Sequence, residues 1–98
     1  MPISNRDVDR LFEALADERR RAILSELVRR PGASATDLAQ GAQVSRQAIS
    51  KHLSALSGAG LVERRRRGRF VAYRVTPASL FAALAWMSEL GSNVAKGQ

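Results

Sequence analysis

Apolar residues at Val8, Leu11, Phe12 and Leu15 recur at helical spacing and predict a first helix from Asn5 to Ala16. Asp17 then reads as the N-cap of a second helix, with Ile23, Leu24, Leu27 and Val28 as its buried stripe. Pro31-Gly32 ends that helix. Ser34 followed three residues later by Asp37 forms a capping box, with Asp in the usual place of Glu, and opens a short third helix through Gln40. Gly41 stops it, residues 42–44 make a tight connection, and Ser45 caps a fourth helix running to about Ser57. Gly58 and Gly60 terminate this fourth helix.

The period then changes. Leu61 to Arg66 and Phe70 to Val75 read as strands, with Val71, Tyr73 and Val75 alternating against Ala72 and Arg74, and Arg67-Gly68-Arg69 forms the turn between them. Thr76-Pro77 is an N-cap followed by proline at the first helical position, which starts a last helix to about Leu90. Gly91 ends it and leaves a loose tail. The resulting order, α-α-α-α-β-β-α, is mainly α with one β-hairpin and matches the layout of a winged helix-turn-helix. The whole chain, 1–98, is expected to be one such domain. Its helix-turn-helix covers about 34–57, its wing about 61–75, and its dimerisation helices about 5–16 and 77–90.

Charge sharpens this picture. The chain has 98 residues, 16 basic and 9 acidic, for a net +7. Residues 1–43 carry seven Arg and seven acids, and residues 76–98 carry one charge of each sign. Residues 44–75 therefore hold the entire excess. A basic segment between two neutral ones points to a polyanion partner. The absence of cysteine excludes disulfides, thiolate metal sites and cysteine nucleophiles. The N-terminal stretch has no apolar core of signal-peptide length, and the longest strongly apolar run, Leu80 to Met87, is too short to span a membrane. A cytoplasmic protein without membrane association is expected.

On a helical wheel, Ile49, Leu53 and Leu56 cluster on the inner side of the fourth helix. Gln47, Lys51 and Ser54 lie opposite, flanked by Ser50 and Arg46. With the cap Ser45, these side chains supply the groups that read base edges in a major groove: Arg or Lys to guanine, Gln to adenine, Ser to either. The bland alternative is a solvated face. Arg64, Arg65, Arg66, Arg67 and Arg69 put five guanidinium groups in six residues, and strand alternation divides them between two faces. Arg66, Arg67 and Arg69 are the candidates for phosphate or minor-groove contact, whereas Arg64 and Arg65 pair with Glu63 or other acids. The competing reading is an edge charged for solubility. His52, the single histidine, sits at the margin of the apolar face, open to either a packing role or a DNA contact.

The last helix has no polar side chain from 80 to 87. Its apolar surface exceeds what one small core covers, so a second subunit is expected to pack on it. The interface candidates are Leu11, Leu15, Leu80, Phe81, Leu84, Trp86 and Met87, and a ligand pocket around Phe81 and Trp86 is the rival. No catalytic constellation, phosphate loop or zinc spacing is present, which argues against an enzyme and assigns no cofactor.

Several strings together resemble the ArsR/SmtB-type bacterial repressors: Leu15-Ala16-Asp17, Arg20 to Leu24, Asp37-Leu38-Ala39, Val44 to Leu53, Leu56, Ala59-Gly60-Leu61-Val62, and Gly68-Arg69 leading to Tyr73. The resemblance covers about residues 8–90. It implies a homodimeric winged helix that binds a near-palindromic double-stranded DNA operator and represses transcription, often of its own operon. Residues 45–57 would then be the recognition helix and about 62–74 the wing. Metal-sensing members carry cysteines on the helix equivalent to residues 34–39. Here Ser34, Thr36 and Ala39 stand there, and these residues do not bind a soft metal. Other members place Asp, His and Glu ligands on the last helix, where this chain offers Glu89 and no histidine. The resemblance thus implies DNA binding without a metal and assigns no inducer. It is nearest to the autorepressor (SdpR-like) subgroup, which lacks metal sites. A helix-turn-helix module for RNA or an acidic protein, or a small-ligand-responsive regulator, remains as an alternative.

Overall fold

A computed structural model describes residues 5–97. Its elements are α1 (Asn5–Leu15), α2 (Glu18–Arg29), α3 (Ala35–Ala42), α4 (Arg46–Gly58), β1 (Val62–Arg67), β2 (Phe70–Val75) and α5 (Pro77–Lys96). This is the winged helix-turn-helix order expected from the sequence. Part of the N-terminal stretch read for a signal peptide, and the last residue of the tail, lie outside the described residues.

The helix starts follow from local hydrogen bonding. Asp17 caps α2 by accepting from the backbone N–H groups of Arg19 and Arg20. The capping box of α3 is complete: the Asp37 amide donates to Ser34 Oγ at 3.1 Å, and the Ser34 amide donates to the Asp37 carboxylate at 3.0 Å. Ser45 Oγ accepts from the Ala48 amide at 3.1 Å and starts α4. At α5 the Thr76 side chain makes no such bond, and Pro77 with its fixed φ starts the helix instead.

The apolar positions of α1 to α4 meet in one core built from Leu11, Ala14, Ile23, Leu24, Leu27, Leu38, Ile49, Leu53 and Leu56, closed by Leu61 and Val62 at the root of the wing. Leu53, Leu56 and Leu61 are at most 1% exposed. β1 and β2 pair antiparallel from Val62↔Val75 to Arg67↔Phe70, and Gly68 turns the hairpin with φ +61°. The free edge of β2 is joined at Tyr73, whose carbonyl accepts from Gly32 and whose amide donates to Ala33, tying the α2–α3 loop to the wing.

Four expectations change. Val28 reads as part of the buried stripe of α2 but is 64% exposed. It lies about 100° around the helix from Leu27, and the core accepts Ile23, Leu24 and Leu27 only. α3 runs through Gly41 to Ala42, because the residue that takes the left-handed conformation is Gln43, with φ 57°. α4 runs through Gly58, and the reversal falls on Gly60, with φ +77°. Most of all, α5 does not stop at Gly91 but continues to Lys96. Glycine weakens a helix by ~1 kcal/mol relative to alanine but ends it only where the chain turns left-handed, which Gly91 does not do.

Candidate nucleic-acid interface

The helix-turn-helix is set by two short connections. Gln43 closes α3 with its amide donating to the Ala39 carbonyl, and two residues later the Ser45 cap begins α4. Burial of Ile49, Leu53 and Leu56 then forces the other side of α4 outward. Ser45, Arg46, Gln47, Lys51 and Ser54 are exposed, and Ser50 is half-buried. Ser45 Oγ is engaged as an acceptor by the cap bond, so it faces a ligand as a hydroxyl donor. His52 is half-buried and turned away from this outer face, lining a cleft beside Arg19 and Glu26 of α2.

The hairpin leaves the end of α4 directly, with the Leu61 amide donating to Leu56 and the Thr76 amide donating to Leu61. Residues 63–70 are all exposed. Opposed residues share a face, so the register places Arg64 and Arg66 with Tyr73 and Val71, and Arg65 and Arg67 with Ala72 and Phe70. Glu63 faces Arg74 across the ladder. The expected pairing of Arg64 and Arg65 with Glu63 is not seen: among the described residues, no wing arginine takes part in an ion pair. At the end of α2, Glu26 holds Arg29 at 3.4 Å and the C-cap Arg30 at 3.6 Å. Adjacent guanidinium groups on a two-stranded ribbon cannot all reach one carboxylate, so the wing keeps its charge free.

Three residues take places that sequence does not reveal. Arg65, Arg67 and Arg74 line one cleft together with Pro31 and Gly32, a grouping that depends on cross-strand register and on the bridge from the α2–α3 loop. In sequence Arg65 reads as a partner for Glu63 or another acid, and nothing local distinguishes Arg74. Phe70, 67% exposed opposite Arg67, reads in sequence as an ordinary apolar strand position.

The acids near the helix-turn-helix do structural work. Desolvation pushes the Asp17 carboxyl up, but hydrogen bonds from the Arg19 and Arg20 amides, with the charges of His52 and Arg20, outweigh it and hold it below its ordinary value. The backbone and side-chain hydrogen bonds of Ser34 do the same for Asp37 against desolvation, with help from Arg30.

α5 presents a different surface. Only Ala83 is buried along its length, while Phe81, Leu84, Met87, Leu90 and Val94 are between 47% and 66% exposed. Trp86 lies against Phe12 of α1, with ring centroids 5.6 Å apart. Leu80, Phe81, Leu84, Trp86 and Met87 therefore lie at a surface, and Leu15 is half-buried. Leu11 is not available in this way: at 2% exposure it belongs to the subunit's own core, because the side of α1 that carries it packs on α2 and α4. No described helix is long and apolar enough to cross a membrane.

The sequence model of a helix-turn-helix domain matches residues 15–65, from the end of α1 through most of β1. The chain is 31% identical over 80 residues to the transcriptional repressor SdpR of Bacillus subtilis (strain 168), a match covering 82% of this chain and 88% of SdpR. Among solved structures, an ArsR-like transcriptional regulator from Rhodococcus sp. RHA1 has a TM-score of 0.84 at 41% identity, over 92% of this chain and 84% of that one. The homodimeric winged helix-turn-helix DNA-binding domain of a possible ArsR-family regulator from Mycobacterium bovis has a TM-score of 0.72 at 30% identity, over 91% and 90% of the two chains. Sequence strings, element order and these likenesses agree: the chain belongs to the ArsR/SmtB-type family of winged helix-turn-helix transcriptional regulators.

Proposed function

We propose that the protein is a cytoplasmic homodimeric repressor that binds a near-palindromic operator, including one upstream of its own gene. In each subunit Ser45, Arg46, Gln47, Ser50, Lys51 and Ser54 enter a major groove, and the two recognition helices sit about one helical turn, ~34 Å, apart. Arg66, Arg67 and Arg69 grip the flanking backbone. His52, turned toward α2, supports the helix from behind and does not read bases. The observation that carries this reading is the bare cationic surface: the outer face of α4 holds no acid, and among the described residues no wing arginine takes part in an ion pair. Two subunits would each contribute the apolar face of α5, through Leu80, Phe81, Leu84, Trp86 and Met87. The homodimeric relative from Mycobacterium bovis supports that assembly.

Footprinting on the DNA upstream of the gene, with competition by random duplex, tests the reading. The expected result is a protected two-fold symmetric site preferred over random DNA by ~10³ or more. Equal competition by random duplex or by structured RNA would overturn it.

A further inference from the structure

A cleft of about 370 Å³ opens between α2 and the helix-turn-helix, at the lower end of the ~300–1,000 Å³ typical of small-molecule sites. Its walls are apolar: Ile23 from α2, Leu38 from α3, Val44 from the turn and Ile49 from α4. Val44 is 41% exposed, an unusual position for a β-branched apolar residue that already flanks a core. The polar groups stand at the rim. The Glu26 carboxylate is already held by Arg29 and Arg30, 3.4 and 3.6 Å away. The Arg19 guanidinium, on the same rim, has no hydrogen bond or ion pair among the described residues. His52 completes the mouth from α4, and the Arg30 guanidinium also reaches this side, close to Gly41.

We propose that this cleft binds a small amphipathic carboxylate, with its apolar body between α2 and α3–α4 and its carboxylate held by Arg19 and His52. The rim supplies a cation without an ion pair among the described residues, beside a rim carboxylate, Glu26, already held by two other arginines, and a guanidinium fits a carboxylate in bidentate geometry. The apolar walls supply the driving force for a hydrocarbon or aryl body. An amine ligand would meet Arg19 unneutralised, and a neutral one would leave it unused.

The site has a regulatory consequence, which rests on the DNA-binding reading, whereas the site itself does not. One wall is the inner side of α4, directly behind Gln47 and Lys51. A ligand seated there touches the recognition helix without competing for its outer face. Any difference in its affinity for the free and DNA-bound positions of α4 changes DNA affinity by the same factor.

Octanoate serves as the probe and octanol as its neutral counterpart, titrated into the full chain without DNA while backbone amide resonances are followed. Octanoate is expected to shift the amides of Arg19, Val44 and Ile49 in a saturable way. Arg19→Gln is expected to weaken octanoate at least tenfold while changing octanol less than twofold. Ala42→Leu, which narrows the cleft away from the α4 outer face, is expected to weaken both. Arg19 is exposed, so its variant keeps the fold and the test stands even if Ala42→Leu misfolds. Shifts confined to α5, with quenching of Trp86, would place the site elsewhere and overturn the proposal. So would equal binding by Arg19→Gln, or no saturable shift. In a second arm, octanoate is added to the complex with the preferred duplex. A change in duplex affinity with a matching change in octanoate affinity supports the coupling, and unchanged affinity overturns the coupling alone.

Discussion

Arg67 offers the sharpest test of how the wing works. It sits at the end of β1, exposed, opposite Phe70 and without an ion pair among the described residues, so its charge is available to a phosphate. In a homodimer each arginine acts twice, and Arg66, Arg67 and Arg69 together would neutralise six phosphates. At ~0.9 counterions released per phosphate, log Kd would change by about 5.4 per decade of salt, and affinity would fall by roughly three powers of ten between 0.05 and 0.2 M. Arg67→Ala removes two contacts, lowering the slope to ~3.6 and the same loss to about 150-fold. Fluorescence anisotropy on one labelled duplex at five salt concentrations measures both slopes. Circular dichroism checks that the hairpin, which loses no internal bond to this side chain, stays folded. Arg29→Ala, on α2 and paired with Glu26, is the control and should leave the slope unchanged. A native slope for Arg67→Ala would refute phosphate contact at this position, whatever happens to the affinity at a single salt concentration.

The other predictions address reading, assembly and the framework. Gln47→Ala should alter preference among operator variants by ~1–3 kcal/mol at one base pair with the salt slope intact, as measured by competition binding. Leu84→Glu, at a position 58% exposed in the subunit, should leave the monomer folded but place a charge in each half of the interface, giving monomers by analytical ultracentrifugation at micromolar concentration. Ser34→Ala should cost about 1 kcal/mol in urea denaturation by breaking the capping box. Asp17 and Asp37 are both held below the ordinary carboxylate value of 3.8, so the folded protein binds those protons less readily than the unfolded chain. Their contribution is complete above that value and is lost as pH falls through the folded values. Asp37→Asn should therefore flatten the loss of stability below pH 4 in an acid titration followed by circular dichroism.

Much of the geometry of the candidate interface could be read directly in the chain because a helix face and a hairpin are local objects. Ser45 three residues before Ala48, and Ile49, Leu53 and Leu56 on one side of a wheel, suffice to say which face of α4 points outward. The charge of residues 44–75 is equally local. Reading failed where the deciding partner is distant in sequence. Val28 looks like a continuation of a stripe until the actual width of the core is known. Leu11 looks like a candidate for a partner subunit until α2 and α4 are placed over it.

The wing shows the same division within six residues. Alternation alone separates Arg64 and Arg66 from Arg65 and Arg67. Only the register with β2, and the bridge from Tyr73 to residues 32 and 33, brings Arg74 and the α2–α3 loop to the side of Arg65 and Arg67. Glu63 has arginine neighbours in sequence yet pairs with none of them.

Sequence by itself determined the order of elements, the caps that begin α2, α3 and α4, the outward face of α4 and the site of the excess charge. Each of these depends on residues within a few positions of one another, where hydrogen-bond geometry and helical or strand periodicity decide the outcome. The tertiary structure alone decided that α5 continues through Gly91, that His52 turns to a cleft beside α2, and that this apolar-walled cleft, with Arg19 on its rim, lies behind the outward face of α4. These depend on how separate elements pack, and packing is set by shape and burial summed over the whole core, which no local pattern encodes.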